Sequence, residues 1–211
     1  MHKFSSLCFS AALKDKTIGK KAAYVAVMTA LSVVSNMFLE IRVFDVQYSL
    51  TIFVSVITGI VLGPIAGFVA SFMGDFVGYV VNSWGQLYMP WVGLSTAMLS
   101  LISGIVFSFR KNPKKPALYL RFAIICALSF FVCTIAINST GFYFYNKLNG
   151  FSTAVINYVS DNFGGNVSYF AYVCYRLIFK MQILNNFVNY CLLFAFLPLF
   201  ARDPITKDFF S

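Results

Sequence analysis

Arg176 and Lys180 stand four residues apart in an apolar stretch running from Tyr169 to Phe200, and Asp75 stands in another, GPIAGFVASFMGDFVGYVVN. Four residues is about one helical turn, so the two cations share a helix face. A charge at membrane depth costs several kcal/mol unless it pairs or lines a cavity, which makes each of the three a candidate functional residue. Together they point to a polar pocket for a small charged ligand. Other chemistries lack parts. The single histidine is His2, and Cys8, Cys126, Cys133, Cys174 and Cys191 show neither C-x-x-C nor zinc spacing. Serine–histidine and zinc mechanisms are therefore not expected, nor is a bound metal or cofactor. No G-x-x-x-x-G-K-[ST] loop occurs, so the chain is not expected to hydrolyse ATP by that route.

The elements that position these residues follow from composition. Hydrophobic residues make up 59% of the chain and charged residues 11%, where soluble domains hold about a quarter. A helical crossing takes ~20 apolar residues, so 211 residues predict an all-α bundle of about six transmembrane helices without a separate soluble domain. The net charge of +9 is explained by its placement. Lys3, Lys14, Lys16, Lys20 and Lys21 precede the first apolar stretch. Arg110, Lys111, Lys114, Lys115 and Arg121 surround one internal linker, RKNPKKP, while Arg202 and Lys207 close the chain. The alternate loops hold mainly Arg42 and Lys147. Such asymmetry predicts cytoplasmic N- and C-termini, not a nucleic-acid surface. The expected division is an interfacial segment 1–19, a membrane domain 20–200 and a cytoplasmic tail 201–211.

Helix 1, from about Lys20 to Leu39, carries Ala22, Ala26 and Ala30 at four-residue spacing. That small-residue stripe suits either internal packing or close approach of a partner subunit. The linker EIRVFDVQYS is either a lid or a solvated loop. Helix 2 ends at Gly63-Pro64, and helix 3 then presents Gly67, Ser71, Asp75, Tyr79 and Asn82 on one face. Trp84, Tyr88 and Trp91 follow around Pro90, as an interfacial belt or as ligand-stacking rings. Helix 5, from Ala117 to about Tyr145, carries Asn138 and Tyr143 in its outer third, and a short apolar run in the loop beyond it suits an outer helix. At 1.5 Å per residue, Asp75 and Lys180 fall at about one depth, with Asn138 and Arg176 above them. The same arithmetic allows a purely structural Asp75–Lys180 ion pair. Gln182, Asn186 and Asn189 continue a polar stripe inward and read as interhelical glue.

The alanine stripe, the hairpin GIVLGPIAGFVASFMGDFVGY, the NST of Asn138 to Thr140 and the YRLIFK of the last helix resemble the substrate-binding (S) components of energy-coupling factor (ECF) vitamin transporters, most of all the folate-type ones. The resemblance covers about Lys20 to Phe200. It implies a small-molecule vitamin as ligand, a transmembrane scaffold subunit with two ATPases as partners, docking through Ala22, Ala26 and Ala30, and delivery by ATP-driven toppling within the lipid. It also implies that Asp75 accepts from a pterin's N–H groups, that Arg176 and Lys180 hold a carboxylate, and that Trp84, Tyr88, Trp91 or Tyr143 stack on a flat ring. Tyr79, Asn82 and Asn138 complete the expected site. Riboflavin, pantothenate or a queuosine precursor are alternative ligands on the same fold, and a membrane scaffold of the cell-shape type is the alternative outside transport.

Overall fold

The computed structural model of the chain describes residues 7–38, 40–43, 46–81, 83, 87–108, 115–202 and 209. A short turn of helix, α1 (Ala11–Lys14), precedes α2 (Ile18–Phe38). A two-stranded antiparallel hairpin of β1 (Glu40–Val43) and β2 (Val46–Ser49) follows, pairing Glu40 with Ser49 and Val43 with Val46. Then come α3 (Thr51–Leu62), α4 (Pro64–Val81) and α5 (Pro90–Ser108). The long helix α6 (Lys115–Asn149) keeps α geometry to Leu128, widens to a π-helix over Ser129–Ser139, and resumes α geometry at Thr140. An outer helix, α7 (Thr153–Phe163), precedes α8 (Tyr169–Phe179) and α9 (Gln182–Arg202).

Among the described residues, five helices are long and apolar enough to cross a bilayer: α2, α4, α5, α6 and α9. The last apolar stretch, read from sequence as one helix, is two. The break falls at Met181, whose φ of 49° is left-handed, a conformation that costs a non-glycine residue about 1–2 kcal/mol. Its N–H closes α8 on the Ile178 carbonyl at 3.1 Å, and its own carbonyl accepts from Asn185 at 3.1 Å to open α9. The linker after α2 is the β1–β2 hairpin, and α7 forms where an outer helix was expected.

Small residues let α3, α4 and α5 approach closely. A Cβ on Gly59 would sit 2.0 Å from the Ser100 carbonyl oxygen, so α3 and α5 touch backbone to backbone. Ser100 and Ser103 of α5 exploit this, donating to the carbonyls of Ser55 at 2.7 Å and Val56 at 3.1 Å. Such bonds hold helices together where apolar burial gives no preference over lipid. At the α3–α4 turn Gly63 adopts φ 98°, and Ser10 folds under it, its N–H to the Leu62 carbonyl (2.8 Å) and its hydroxyl to Val61 (2.6 Å). Leu13, three residues on, is fully buried. Arg121, counted in sequence among loop charges, is buried too, its guanidinium 5.3 Å from the Phe107 ring. Ala22, Ala26 and Ala30 lie on an exposed face of α2, so packing within this chain does not account for their spacing.

Candidate functional site

The bundle holds a partly open cavity of about 870 Å³. Its lining includes Asp75 and Tyr79 from α4, Tyr88 from the approach to α5, Asn138 from α6, Arg176 from α8, and Lys180 just beyond. The structure thus brings together six of the residues singled out in sequence. Trp91 and Tyr143 do not line the cavity. Trp91 packs on Phe142 (5.6 Å) and Tyr145 (5.8 Å), against Gly141, where even a Cβ would meet its ring at 2.2 Å. Tyr143 lies within an aromatic cluster with Phe151, Tyr169 and Tyr172. Asn82 and Trp84 lie outside the described residues.

Asp75 is only 7% exposed. It faces α5 at Gly93, where an added Cβ would lie 2.7 Å from its Oδ2 and 2.9 Å from the Tyr88 hydroxyl. The missing side chain at 93 is what lets carboxylate and phenol converge there. Phe76 and Tyr79 hold the Tyr88 ring, with centroids 5.4 Å and 5.0 Å away. The Tyr88 hydroxyl is buried and finds no hydrogen bond of good geometry among the described residues, yet it lies near enough to Asp75 to feel its charge. Burial first, and the Asp75 charge second, push its pKa up to about 12. It therefore stays a neutral phenol beside a carboxylate, able to donate where Asp75 accepts.

On the other wall, Arg176 is 7% exposed and stands in a π-helical turn, Tyr175–Phe179. Its Nη1 donates to the Asn138 carbonyl at 2.9 Å, and its guanidinium lies 4.1 Å from the Phe142 ring centroid. Part of its bonding capacity is thus committed to α6, and the residue also lines the cavity, as do Ser152, Ala154 and Val155 around the start of α7. Tyr158 of α7 packs on Tyr175 and Phe179, 5.5 Å and 5.9 Å away.

The polar stripe on α9 divides. Asn189 is glue as expected: fully buried, it donates to the Ser49 carbonyl at 2.8 Å and accepts from Phe53 N–H at 3.0 Å. Asn186 bonds Thr134 of α6 at 3.3 Å and also lines the cavity, as do Asn185 and Gln182. Gly93, Thr134, Asn185 and Gln182 were not among the residues singled out as a site. Asn185 and Gln182 were visible as amides at helical spacing, but the break at Met181 re-aims them and a continuous helix hides it. Among the described residues, no three His, Cys, Asp or Glu side chains gather as a metal site.

The sequence matches the family model described as "ECF-type riboflavin transporter, S component" over residues 16–167. Comparison with curated proteins yields no match. Among solved structures, the crystal structure of FolT bound with folic acid superposes with a TM-score of 0.50 at 19% identity, covering 82% of this chain and 92% of that one. That likeness concerns the fold, and the family match spans most of the chain. The helices, the cavity with its buried charges and the match agree: this membrane-integral chain belongs to the S-component family of ECF-type riboflavin transporters, substrate-binding proteins of transporters rather than enzymes.

Proposed function

We propose that the chain is the vitamin-binding component of a bacterial plasma-membrane importer and that its cavity takes folate or a related pterin. One observation carries the reading: one cavity is lined by a buried carboxylate beside a neutral phenol and by two cations, Arg176 and Lys180. A pterin presents amino and ring N–H donors to the first, and a glutamate tail presents carboxylates to the second. The fold shared with FolT, a protein seen with folic acid, supports the same assignment. Six crossings are proposed, formed by α2, α3, α4, α5, α6 and the α8–α9 pair, with both termini cytoplasmic. The exposed stripe of Ala22, Ala26 and Ala30 would meet the scaffold subunit, and two ATPases on that scaffold would drive toppling and release.

Riboflavin is the second reading, favoured by the description of the matching family and by the neutral amides and hydroxyls along the cavity. Calorimetric titration of the purified full-length protein with folate and with riboflavin separates the two. Folate reading: folate binds tightly, and Asp75→Asn weakens it. Riboflavin reading: riboflavin binds tightly and folate does not. Binding of neither overturns both.

A further inference from the structure

Gln182 follows the left-handed Met181 and opens α9. In an unbroken helix residues 180 and 182 would lie about 200° apart around the axis and face away from each other. The turn at Met181 cancels that separation: Lys180 and Gln182 line the same cavity, while Met181 itself is 45% exposed. Three backbone bonds fix the turn, from Lys180 N–H to the Tyr175 carbonyl (3.1 Å), Met181 to Ile178 (3.1 Å) and Asn185 to Met181 (3.1 Å). The Gln182 backbone is therefore anchored on both sides.

Its side chain is not satisfied in the same way. The Gln182 Oε1 is buried and accepts no hydrogen bond among the described residues, and the same holds for Asn138 Oδ1 in the same cavity lining. A carboxamide oxygen accepts and never donates, and a buried acceptor without a donor is destabilising. Interhelical glue would have spent this oxygen on a neighbouring helix, as Asn189 spends its Oδ1 on the Phe53 N–H. We infer that Gln182 is a specificity-determining residue of the cavity, held by the Met181 turn, whose carboxamide oxygen accepts from an N–H or O–H donor on the ligand.

The inference rests on the reading of this cavity as a vitamin site, and it narrows the ligand class. A molecule bound here carries a donor, such as a ring N–H, an amino group or a chain hydroxyl, toward Gln182 as well as toward Asp75. Met181 acts as a positioning residue, since it brings Gln182 to the cavity without lining it.

The test compares full-length wild type, Gln182→Met and Gln182→Glu, measuring ligand-free thermal unfolding and calorimetric affinity for folate and riboflavin. Gln182→Met keeps length and removes the acceptor, so it should weaken whichever vitamin the wild type binds by five- to a hundredfold and leave ligand-free stability unchanged or raised. Gln182→Glu keeps an acceptor and should retain affinity within a few fold for a ligand that donates there. Unchanged affinity in Gln182→Met overturns the inference while the vitamin reading stands. So does a fall in ligand-free stability equal to the loss of affinity, which marks glue. Should Gln182→Met fail to fold, weakening of the bound vitamin by Gln182→Glu to the same five- to a hundredfold overturns it equally. Wild type that binds neither vitamin overturns the underlying reading, and the inference with it.

Discussion

Gly93→Ala adds one methyl group to the cavity face of α5, and the structure sets what it meets. The new carbon would lie 2.7 Å from Asp75 Oδ2, 2.9 Å from the Tyr88 hydroxyl and 3.3 Å from Asp75 Cγ. The first two are closer than carbon and oxygen approach in real proteins, so something must shift. Neither neighbour swings freely: Asp75 is 7% exposed, and Tyr88 is wedged against Phe76 and Tyr79. Overpacking of this kind costs about 1–3 kcal/mol, and alanine in place of glycine inside a helix returns about 1 kcal/mol. The net loss of ligand-free stability should be roughly 0–2 kcal/mol.

Affinity should suffer more. A displaced Asp75 loses a charge-assisted bond to the ligand of about 1.5–3 kcal/mol, a ten- to hundredfold change in dissociation constant. Gly19→Ala is the control, because nothing lies within 4 Å of a Cβ there. It should raise stability by up to about 1 kcal/mol and leave binding alone. Thermal unfolding without ligand and titration with folate and riboflavin report the two effects separately. A Gly93→Ala protein with wild-type affinity and raised stability would refute the crowding argument and remove Asp75 from the site.

Four further outcomes follow from the same geometry. Ala26→Trp puts a large ring on the exposed α2 stripe, so pull-down with scaffold and ATPase subunits should fail while vitamin affinity holds; intact assembly returns the stripe to lipid contact. Asn189→Leu strips partners from the Ser49 carbonyl and the Phe53 N–H, which should cost about 2–6 kcal/mol of ligand-free stability at about 1–3 per orphaned group, read by thermal unfolding. Lys180→Ala and Arg176→Ala should each weaken an anionic ligand ten- to a hundredfold, and Arg176→Ala should also lower ligand-free stability, because it abandons the Asn138 carbonyl and the Phe142 ring. Tyr88, with its pKa raised from 10.0 to about 12, contributes stability that is complete below pH 10 and is lost as pH climbs through 12. Subtracting a Tyr88→Phe unfolding profile from wild type should isolate that decline, and equal profiles would contradict it.

How much of this was legible in the sequence depended on whether the signal was local. Asp75, Arg176 and Lys180 stood out because charge in an apolar run is costly wherever it occurs, and all three line the cavity. The Gly63-Pro64 break could be read because glycine and proline act within a residue or two. The second break could not. Met181 has no turn-forming chemistry, and its left-handed backbone is imposed by the helices around it. Once that turn was missed, Gln182 was grouped with Asn186 and Asn189 as one inward stripe of glue. Trp91 and Tyr143 mark a different limit: an aromatic near a pocket is as readily a wall of the neighbouring core, and only the position of Gly141 and the Tyr169–Tyr172 cluster decides. Gly93 gave no signal at all, since its meaning lies in two side chains from other segments.

The cavity exists because two helices abandon α geometry along its wall. Over Ser129–Ser139 and again over Tyr175–Phe179 the backbone is wound as a π-helix, a form rare in length and found mostly at functional sites. Carbonyls on the widened stretch of α6 also accept from side chains: Ser95 donates to Cys133 at 3.0 Å, Ser139 to Thr134 at 2.8 Å, Tyr169 to Ile135 at 3.3 Å and Arg176 to Asn138 at 2.9 Å. A bundle shaped only for stability would gain by returning both stretches to α-helix and dispensing with these bonds. What the π geometry provides is room and direction: Thr134, Asn138 and Arg176, all on the widened segments, line one cavity. Arg176 belongs to both arrangements at once, bonding the α6 backbone through one nitrogen and lining the cavity. The fold and the site are therefore coupled through that residue, and a guanidinium fork is what the position demands. A lysine there would supply charge but not a planar group that covers Phe142 and bonds a carbonyl in the same pose.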